Sequence, residues 1–306
     1  MSKKNELAVR NEPMSGSVAM QILAPQQDEI SEVQALLNAD ADRDNNAFQL
    51  IPPRIKIAPG GVGKFITDDG ETLDELTGVI ALAQKKRGYW PSKNLSNRPP
   101  LCSSPEGDTG YLIELGTDDQ QMFKDAAHAF KPHSALPLLD AEQPLPEKYS
   151  CYRCPLSKWG SEHQNGNGGP GKACKEMRRL ILVLDGYSEP VIFSLPPTSC
   201  KPFDEFASGI EARGHKYYGV RVRITQNVTK SPHNGNKYGI AEFALDGYIE
   251  EIEQARAVLA VRNEYEELVN DMAVAVDEYE TVEPEAKAPA VEVEATPKEE
   301  EEGVPF

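Results

Sequence analysis

The middle of the chain alternates apolar and polar positions with the period of two that β-strands require. Between residues 217 and 226, Val220, Val222 and Ile224 fall on one face of the expected strand, and two arginines fall on the other. Similar short apolar runs recur along the core, each bounded by Gly, Pro, Asn or Ser. The predicted strands cover residues 48–57, 77–83, 180–184, 191–195, 217–226 and 238–245.

Two segments instead show the 3.6-residue period of an α-helix. The first is predicted from Lys201 to Arg213, because Pro196 and Pro197 stop the preceding strand and Gly214 can end the helix. The second is a longer, more polar helix over residues 247–272. Its candidate contacts are Ile252, Ala255, Leu259, Leu268 and Met272.

After the opening run at 48–57, the main predicted elements in chain order are three strands, a helix and two strands. This is the order of a five-stranded OB-fold barrel, so the expected fold class is mainly β (α+β) with an OB-fold-like core. The flanking segments are more polar than that core and lack its strand pattern. The expected organisation is a flexible N-terminal segment (1–46), a core (47–246) with a Cys-rich zinc-binding insertion (about 94–176), a helix (247–276) and a disordered acidic tail (277–306).

The charge is distributed unevenly along the 306 residues, whose formal net charge is −17. Residues 54–240 hold 24 lysines and arginines against 21 aspartates and glutamates, whereas the two flanks hold 8 against 28. The middle is therefore mildly basic and the ends are strongly acidic. Such an asymmetry separates a surface that binds an anionic partner from an acidic tail.

The first residues are charged, and no long apolar stretch follows them. The sequence therefore predicts neither a secretory signal nor a membrane span, and the expected location is the cytoplasm. The chain holds five cysteines. In a compartment that keeps thiols reduced, these cysteines favour metal ligation over a disulfide framework.

Most of the cysteines lie in the irregular segment of the core. Cys151 and Cys154 have the two-residue spacing that lets both thiolates bind one metal ion, and Cys174 follows at a distance found in zinc ribbons. Four protein ligands would close the site, so the expected cofactor is structural Zn²⁺; the competing interpretation is ordinary buried thiols. The candidate ligands are Cys102, Cys151, Cys154 and Cys174, with His163 as the alternative to Cys102, and Cys200 is left out.

Basic and aromatic residues recur together beside the predicted strands. A single strand of DNA is bound by cations that follow its phosphates and by flat side chains that stack on its unpaired bases. Both kinds of residue are present in the core, so single-stranded DNA is the expected partner. The candidate DNA-binding residues are Lys85, Lys86, Arg87, Tyr89, Trp90, Lys175, Arg178, Arg179, Tyr217, Tyr218, Arg221, Arg223 and Tyr238.

The last residues place Val304, Pro305 and Phe306 directly after an acidic run. This ending resembles the C-terminal peptide of bacterial and phage single-stranded DNA-binding proteins, although Gly303 stands where that family usually has an acid. The resemblance implies a tail that recruits replication and repair proteins. Pro305 and Phe306 would be its anchor, and the steering charges would be Glu299, Glu300, Glu301 and Glu302.

Three segments of the core resemble a family of single-stranded DNA-binding proteins encoded by phages and mobile elements. They are Cys151 to Pro155, Gly171 to Lys175 and Leu195 to Ser199. The resemblance implies a non-enzymatic protein that coats and protects single-stranded DNA during replication, recombination or repair. For a phage protein, the expected location is the host cytoplasm or nucleoid.

Two other functions compete with this interpretation. The segment Gly60 to Lys64 suggests a phosphate-binding loop of an enzyme, but Ala58 replaces the required first Gly and Phe65 replaces the Ser or Thr. The stronger alternative is a zinc-ribbon transcription or adaptor protein that acts on duplex DNA or on a polymerase. The sequence is also compatible with a homo-oligomer, and it leaves open the site size and the preference for DNA or RNA.

Overall fold

The computed structural model describes residues 16–23, 52–90, 99–112, 148–162, 171–232 and 235–274. Within these ranges the fold is mainly β, with eleven strands in one curled sheet and three α-helices. The strands are β1 (Arg54–Ile57), β2 (Phe65–Thr67), β3 (Thr72–Leu73), β4 (Leu76–Tyr89), β5 (Cys102–Ser104), β6 (Thr109–Leu112), β7 (Lys148–Ser150), β8 (Cys174–Leu184), β9 (Val191–Leu195), β10 (Val220–Lys230) and β11 (Lys237–Tyr248). The helices are α1 (Gly16–Leu23), α2 (Pro197–Glu211) and α3 (Ile252–Asp271).

The sheet is organised around β4, its longest strand. The order is β3-β2-β1-β9-β8-β4-β5-β6-β7, and β10 joins β4 while β11 pairs with β10. All neighbours are antiparallel except β1 and β9, which are parallel. The backbones of β4 and β8 come so close at Gly78 that a Cβ atom there would lie 2.0 Å from the carbonyl oxygen of Val183. Only glycine fits that position.

Both faces of the central strands are buried, which explains why their sequences are apolar without interruption. On one face, Ile80, Leu182 and Phe193 pack with Phe203 of α2. On the other face, Val79, Ala81, Leu82, Ile181 and Val183 pack against α3, which is in turn covered by Ala19 and Met20 of α1. The sheet therefore has a hydrophobic cluster on each side.

The sheet curls into a half-barrel. Bulges contribute to the bending, one between Ile80 and Leu82 and one between Arg221 and Val222. Beyond its pairing with β4, the β10–β11 hairpin approaches the β1–β2 turn, where a Cβ on Gly61 would lie 2.7 Å from the Cβ of Lys237. Among the described residues, β11 forms a ladder with β10 alone. The curl brings β11 to β1 by packing rather than by a strand pair.

Both predicted hairpins are confirmed, since β8 pairs with β9 and β10 pairs with β11. The first predicted helix, Lys201–Arg213, is confirmed as α2. The N-terminal prediction needs a correction, because residues 16–23 form α1 rather than a flexible segment. Its apolar side chains gain burial against α3. The helical pattern at residues 28–38 and the tail at 277–306 lie outside the described residues.

The predicted contact face of the second helix is also wrong in part. Ile252 and Leu259 are exposed, whereas Val258, Val261 and Tyr265 are buried. The sheet and α1 select the face that places β-branched and aromatic side chains inward. No helix in the described ranges has both the length and the apolar composition needed to cross a membrane.

Candidate metal centre and nucleic-acid interface

Four cysteines come together at the C-terminal end of β4. Tyr89, the last residue of that strand, pairs with Cys102 on one side and with Cys174 on the other. Cys151 follows β7, and its N–H donates to the carbonyl of Asp108 at 2.8 Å. Cys154 closes the next turn. We call residues 99–112, 148–162 and 171–174 the cysteine lobe.

The four thiols are close enough for their charges to interact. Burial raises the pKa of Cys174 well above its ordinary value, and the neighbouring Cys154, Cys102 and Cys151 raise it further. Burial raises the pKa of Cys102 as well, followed by the charges of Cys154 and Cys151. The sulfur atoms are therefore neighbours in the fold, although they are far apart in the sequence.

Within the described ranges, no three Cys, His, Asp or Glu side chains are already arranged to hold a metal ion. Ligation therefore requires that the thiols lose their protons and turn toward one ion. The donor set fits Zn²⁺, since four cysteines are one of the ligand sets that structural zinc sites use. Arg87 is a cation whose charge lowers the pKa values of Cys151, Cys154 and Cys174, and it could balance an anionic zinc–thiolate centre.

Two further residues were considered as ligands, His163 and Cys200. His163 lies outside the described residues. Cys200 sits in the first turn of α2, where its thiol lies 3.5 Å from the carbonyl of Pro196. Burial, offset by Arg178, raises the pKa of Cys200 to about 12, and no other cysteine contributes to that shift. Leaving Cys200 out of the site agrees with its position.

Hydroxyl groups order the lobe from inside. The hydroxyl of Ser157 lies 2.8 Å from the carbonyl oxygens of both Cys151 and Cys154, so it can donate to either. The hydroxyl of Ser161 accepts the N–H of Ala173 at 2.8 Å and lies 2.9 Å from the carbonyl of Leu156. These bonds replace much of the ordering that a hydrophobic core supplies elsewhere.

Several of the candidate DNA-binding side chains lie inside the fold. Arg179 is 1% exposed and donates to the carbonyls of Val269 (2.9 Å), Met272 (3.4 Å) and Ala273 (3.0 Å). It therefore caps the C-terminal end of α3, where free carbonyls need donors. Burial, followed by the charge of Arg54, lowers the pKa of Arg179 to about 10. The buried set is Lys86, Tyr89, Trp90, Arg178 and Arg179.

A second set of candidate cations already has carboxylate partners. Arg87 pairs with Glu176 at 3.1 Å, and Arg223 pairs with Asp246 at 2.8 Å. A phosphate would have to replace these carboxylates. Arg223 is half-exposed, and an exposed pair is weak enough to exchange. The other pairs are Lys175–Glu162, Arg178–Asp204 and Arg221–Asp185.

Two of the candidate tyrosines anchor α3 to the sheet. The hydroxyl of Tyr217 accepts the N–H of Ala83 at 3.2 Å and a guanidinium N–H of Arg262 at 2.9 Å. The guanidinium of Arg262 also lies 5.0 Å from the ring centre of Tyr218. Both rings are only half-buried, but their polar and π contacts are used within the protein.

The last two candidates, Lys85 and Tyr238, are partly exposed. The stem of Lys85 covers Gly107 of the cysteine lobe. The backbone of Tyr238 packs against Gly61 of the β1–β2 turn, whose φ of 62° favours glycine. These two residues therefore lie at opposite ends of the sheet.

Sequence reasoning missed a basic pair at the end of the β10–β11 hairpin. β10 pairs with β4 only through Arg221–Ile224, so residues 225–230 and 237–242 continue past β4 as a two-stranded ribbon that packs against the β1–β2 turn, which we call the β-arm. Lys230 lies directly opposite Lys237 in this arm. Both lysines are exposed, and neither has a recorded ion pair within the described part of the chain. Lys230 and Lys237 flank the predicted turn between the two strands, and this position in the sequence could have predicted that they lie opposite each other.

Apolar side chains accompany the lysines of the β-arm. Val228 is 40% exposed, and Val62 in the neighbouring β1–β2 turn is 59% exposed. A Cβ on Gly63 would lie 3.3 Å from the Cγ2 atom of Val228, so the turn and the arm form one surface.

Comparison of the chain with known proteins gives no matching family model, no similar curated protein and no similar solved structure. The functional argument therefore depends on these residues and their geometry.

Proposed function

We propose that the chain binds single-stranded DNA without catalysing a reaction, on a half-barrel of OB-fold type. The observation that carries the proposal is the exposed pair Lys230 and Lys237. Like charges directly opposite each other destabilise a strand pair. A phosphate bound between the two ammonium groups would remove that repulsion. The central cations of the sheet are ion-paired with carboxylates. A DNA phosphate can bind the lysines of the β-arm without first displacing such a carboxylate.

The surroundings of the lysine pair favour a single strand over a duplex. Val62 and Val228 place apolar area beside the cations, and Tyr238 is partly exposed on the same arm. Unpaired bases offer flat faces to such side chains, whereas a duplex hides those faces in its stack. We therefore expect phosphates to contact the lysines and bases to contact the apolar residues.

We also propose that Cys102, Cys151, Cys154 and Cys174 hold a structural Zn²⁺. Mutual electrostatic effects among the four thiols support this set. Bound zinc would supply cross-linking of the lobe rather than a reaction, since four protein ligands leave no open position. The hydrogen bonds of Ser157 and Ser161 then order the backbone of the lobe around the proposed site.

The recruitment of replication and repair proteins through the C-terminal tail remains part of the proposal. Its support is the acidic run before Pro305 and Phe306. A pocket with a basic rim and an apolar hole would bind such a peptide through its carboxylate and its ring. Cytoplasmic action on DNA during replication, recombination or repair follows from the same reasoning.

The test is a titration of labelled single-stranded and duplex oligonucleotides of the same length, followed by fluorescence anisotropy at several salt concentrations. The full chain should bind the single strand more tightly. Replacing both arm lysines, Lys230→Gln with Lys237→Gln, should lower the slope of log K against log salt by about 1.4, since each single-strand phosphate contact contributes about 0.7.

The matched control replaces two exposed lysines that already have carboxylate partners, Lys201→Gln with Lys216→Gln. This control removes the same charge from α2 and the residues after it, so its salt slope should stay close to that of the unmodified chain. Equal affinity for duplex and single strand would instead support the zinc-ribbon alternative. An arm variant that matches the control would refute the role of the β-arm.

A further inference from the structure

Two exposed aromatic side chains stand on the outside of the cysteine lobe. Tyr152 is 83% exposed and Trp159 is 71% exposed. The other tryptophan of the chain, Trp90, is 5% exposed and packs with Met177 and Val274. The lobe therefore buries its small side chains and leaves two large rings in solvent, where they add nothing to its interior.

One of the two rings, that of Tyr152, has a cation beside it. The ammonium of Lys158 lies 4.9 Å from the ring centre of Tyr152 and donates to the Tyr152 carbonyl at 2.6 Å. Trp159 directly follows Lys158, so both exposed rings belong to one short segment of the lobe. Arg153 is exposed and has no recorded ion pair within the described residues. Residues 151–159 contain these two cations and no acid.

The segment that carries the rings is held firmly. Cys151 and Cys154 bracket Tyr152, and the turn Pro155–Ser157 that follows is buried. The N–H of Lys158 donates to the carbonyl of Pro155 at 3.1 Å, next to the Ser157 bonds described above. A ligand that binds a preorganised surface loses less free energy in ordering it. The backbone that carries the two rings is therefore preorganised.

We infer that Tyr152 and Trp159 form a stacking site for the unpaired bases of a nucleic-acid strand, with Arg153 and Lys158 binding the adjacent phosphates. The inference rests on the proposed single-strand binding and adds a second contact to it. The ring-and-cation pattern favours nucleic acid over a protein partner, since every base has a flat face and every linkage a negative charge. No base preference is expected from stacking alone.

The stacking site and the β-arm lie at opposite ends of β4. β10 joins β4 at Leu76–Val79, whereas the lobe begins where β4 ends at Tyr89. A strand of fourteen residues spans about 45 Å at roughly 3.3 Å per residue. A bound DNA strand that reaches both contacts must therefore run along the sheet, and short oligonucleotides should occupy one contact at a time.

The experiment uses the full chain and an oligomer of deoxythymidine. Because Trp90 is buried, quenching of the intrinsic fluorescence reports mainly on Trp159. We expect Tyr152→Ala and Trp159→Ala each to weaken binding by about 5- to 150-fold, as measured by anisotropy, without changing the salt slope. Trp159→Phe should restore most of the affinity while the quenching is lost. Tyr248→Ala, which removes a partly exposed ring outside the lobe, is the control.

A second variant keeps the test independent of the rings. Arg153→Gln with Lys158→Gln should lower the salt slope by about 1.4 and leave the quenching at saturation in place.

If the unmodified chain binds and the ring variants bind as tightly as Tyr248→Ala, the stacking site is refuted and the proposed function stands. If the unmodified chain does not bind the oligomer at all, both fall. Equal weakening of duplex binding would also overturn the inference, because a duplex has no free base faces.

Discussion

The curled sheet and the cysteine lobe are stabilised in different ways. The sheet buries large apolar side chains on both faces, among them Ile80, Leu182 and Phe193. In the described part of the lobe, the buried apolar residues besides the thiols and glycines are few, namely Pro100, Leu101, Pro155, Leu156 and Ala173. The sheet can therefore fold on hydrophobic burial, whereas the lobe depends more on hydrogen bonds, and the proposed zinc would add a cross-link between its thiols.

The two regions also use their cations differently. In the sheet, Arg221 and Arg223 pair with acids, and Arg179 caps a helix. On the outer surface of the lobe, Lys158 lies beside the exposed ring of Tyr152, and Arg153 is exposed. The sheet's charge mostly supports its own structure, while the lobe's outer charge remains accessible to a ligand. This difference is the reason why the proposed stacking site lies on the lobe rather than on the sheet.

Removing one of the proposed zinc ligands should produce the largest difference in stability between the cysteine lobe and the sheet. Structural zinc contributes on the order of 10 kcal/mol to a site that has little core of its own. The unmodified chain should hold about one equivalent of zinc. We expect Cys154→Ser to reduce this below half and to expose residues 148–162 to limited proteolysis, while the thermal transition of the sheet remains.

Cys200→Ser is the matched control, because Cys200 is a buried thiol outside the group of four. Its zinc content should match that of the unmodified chain. Equal zinc in Cys154→Ser and Cys200→Ser would contradict the proposed ligand set. Loss of the sheet's transition in Cys154→Ser would show that the two regions are not independent.

A cavity in the hydrophobic core of the sheet should destabilise the sheet and leave the cysteine lobe intact. Phe193 is fully buried on β9, and its ring meets that of Phe65 edge to face at 5.5 Å. Phe193→Ala should lower the free energy of unfolding by about 3–5 kcal/mol, measured by urea denaturation. Zinc content should not change. Zinc loss in the folded variant would argue against separate stabilisation of the lobe.

Much of the sheet could be predicted from the sequence, because its strands carry strong period-two or continuously apolar patterns. Val220, Val222 and Ile224 face the core as the alternation requires. The face of α3 could not be predicted, since apolar residues occur on two sides of that helix and α1 decides between them. The position of α1 depends on packing with residues more than 200 positions away.

The candidate site was only partly accessible to sequence reasoning. The spacing of Cys151 and Cys154 predicted a group of thiols, and the structure brings Cys102 and Cys174 to them through their common partner Tyr89. The predicted cations were less informative, because a basic residue beside a strand can serve the fold as readily as a ligand. Burial and ion pairing, which depend on distant residues, decide between these roles.

The smallest predicted effect concerns alkaline pH and the sheet alone. Burial, followed by the charges of Glu189 and Glu264, raises the pKa of Tyr265 to about 12, above its ordinary value of 10. The folded protein therefore keeps this proton where the unfolded chain loses it. The stability that this provides is fully present below pH 10 and is lost as pH rises toward 12, by about 2 kcal/mol in total.

Tyr265→Phe should remove that loss, because the ring stays buried on α3 and no proton remains to dissociate. Urea denaturation of both proteins at pH 8 and at steps up to pH 11.5 measures the difference. The two free energies of unfolding should run in parallel below pH 10, and the unmodified chain should fall more steeply above it. Parallel curves throughout would refute the shift. Because Tyr265 faces the sheet rather than the lobe, zinc content should be the same in both proteins at every pH, which keeps this test confined to one region.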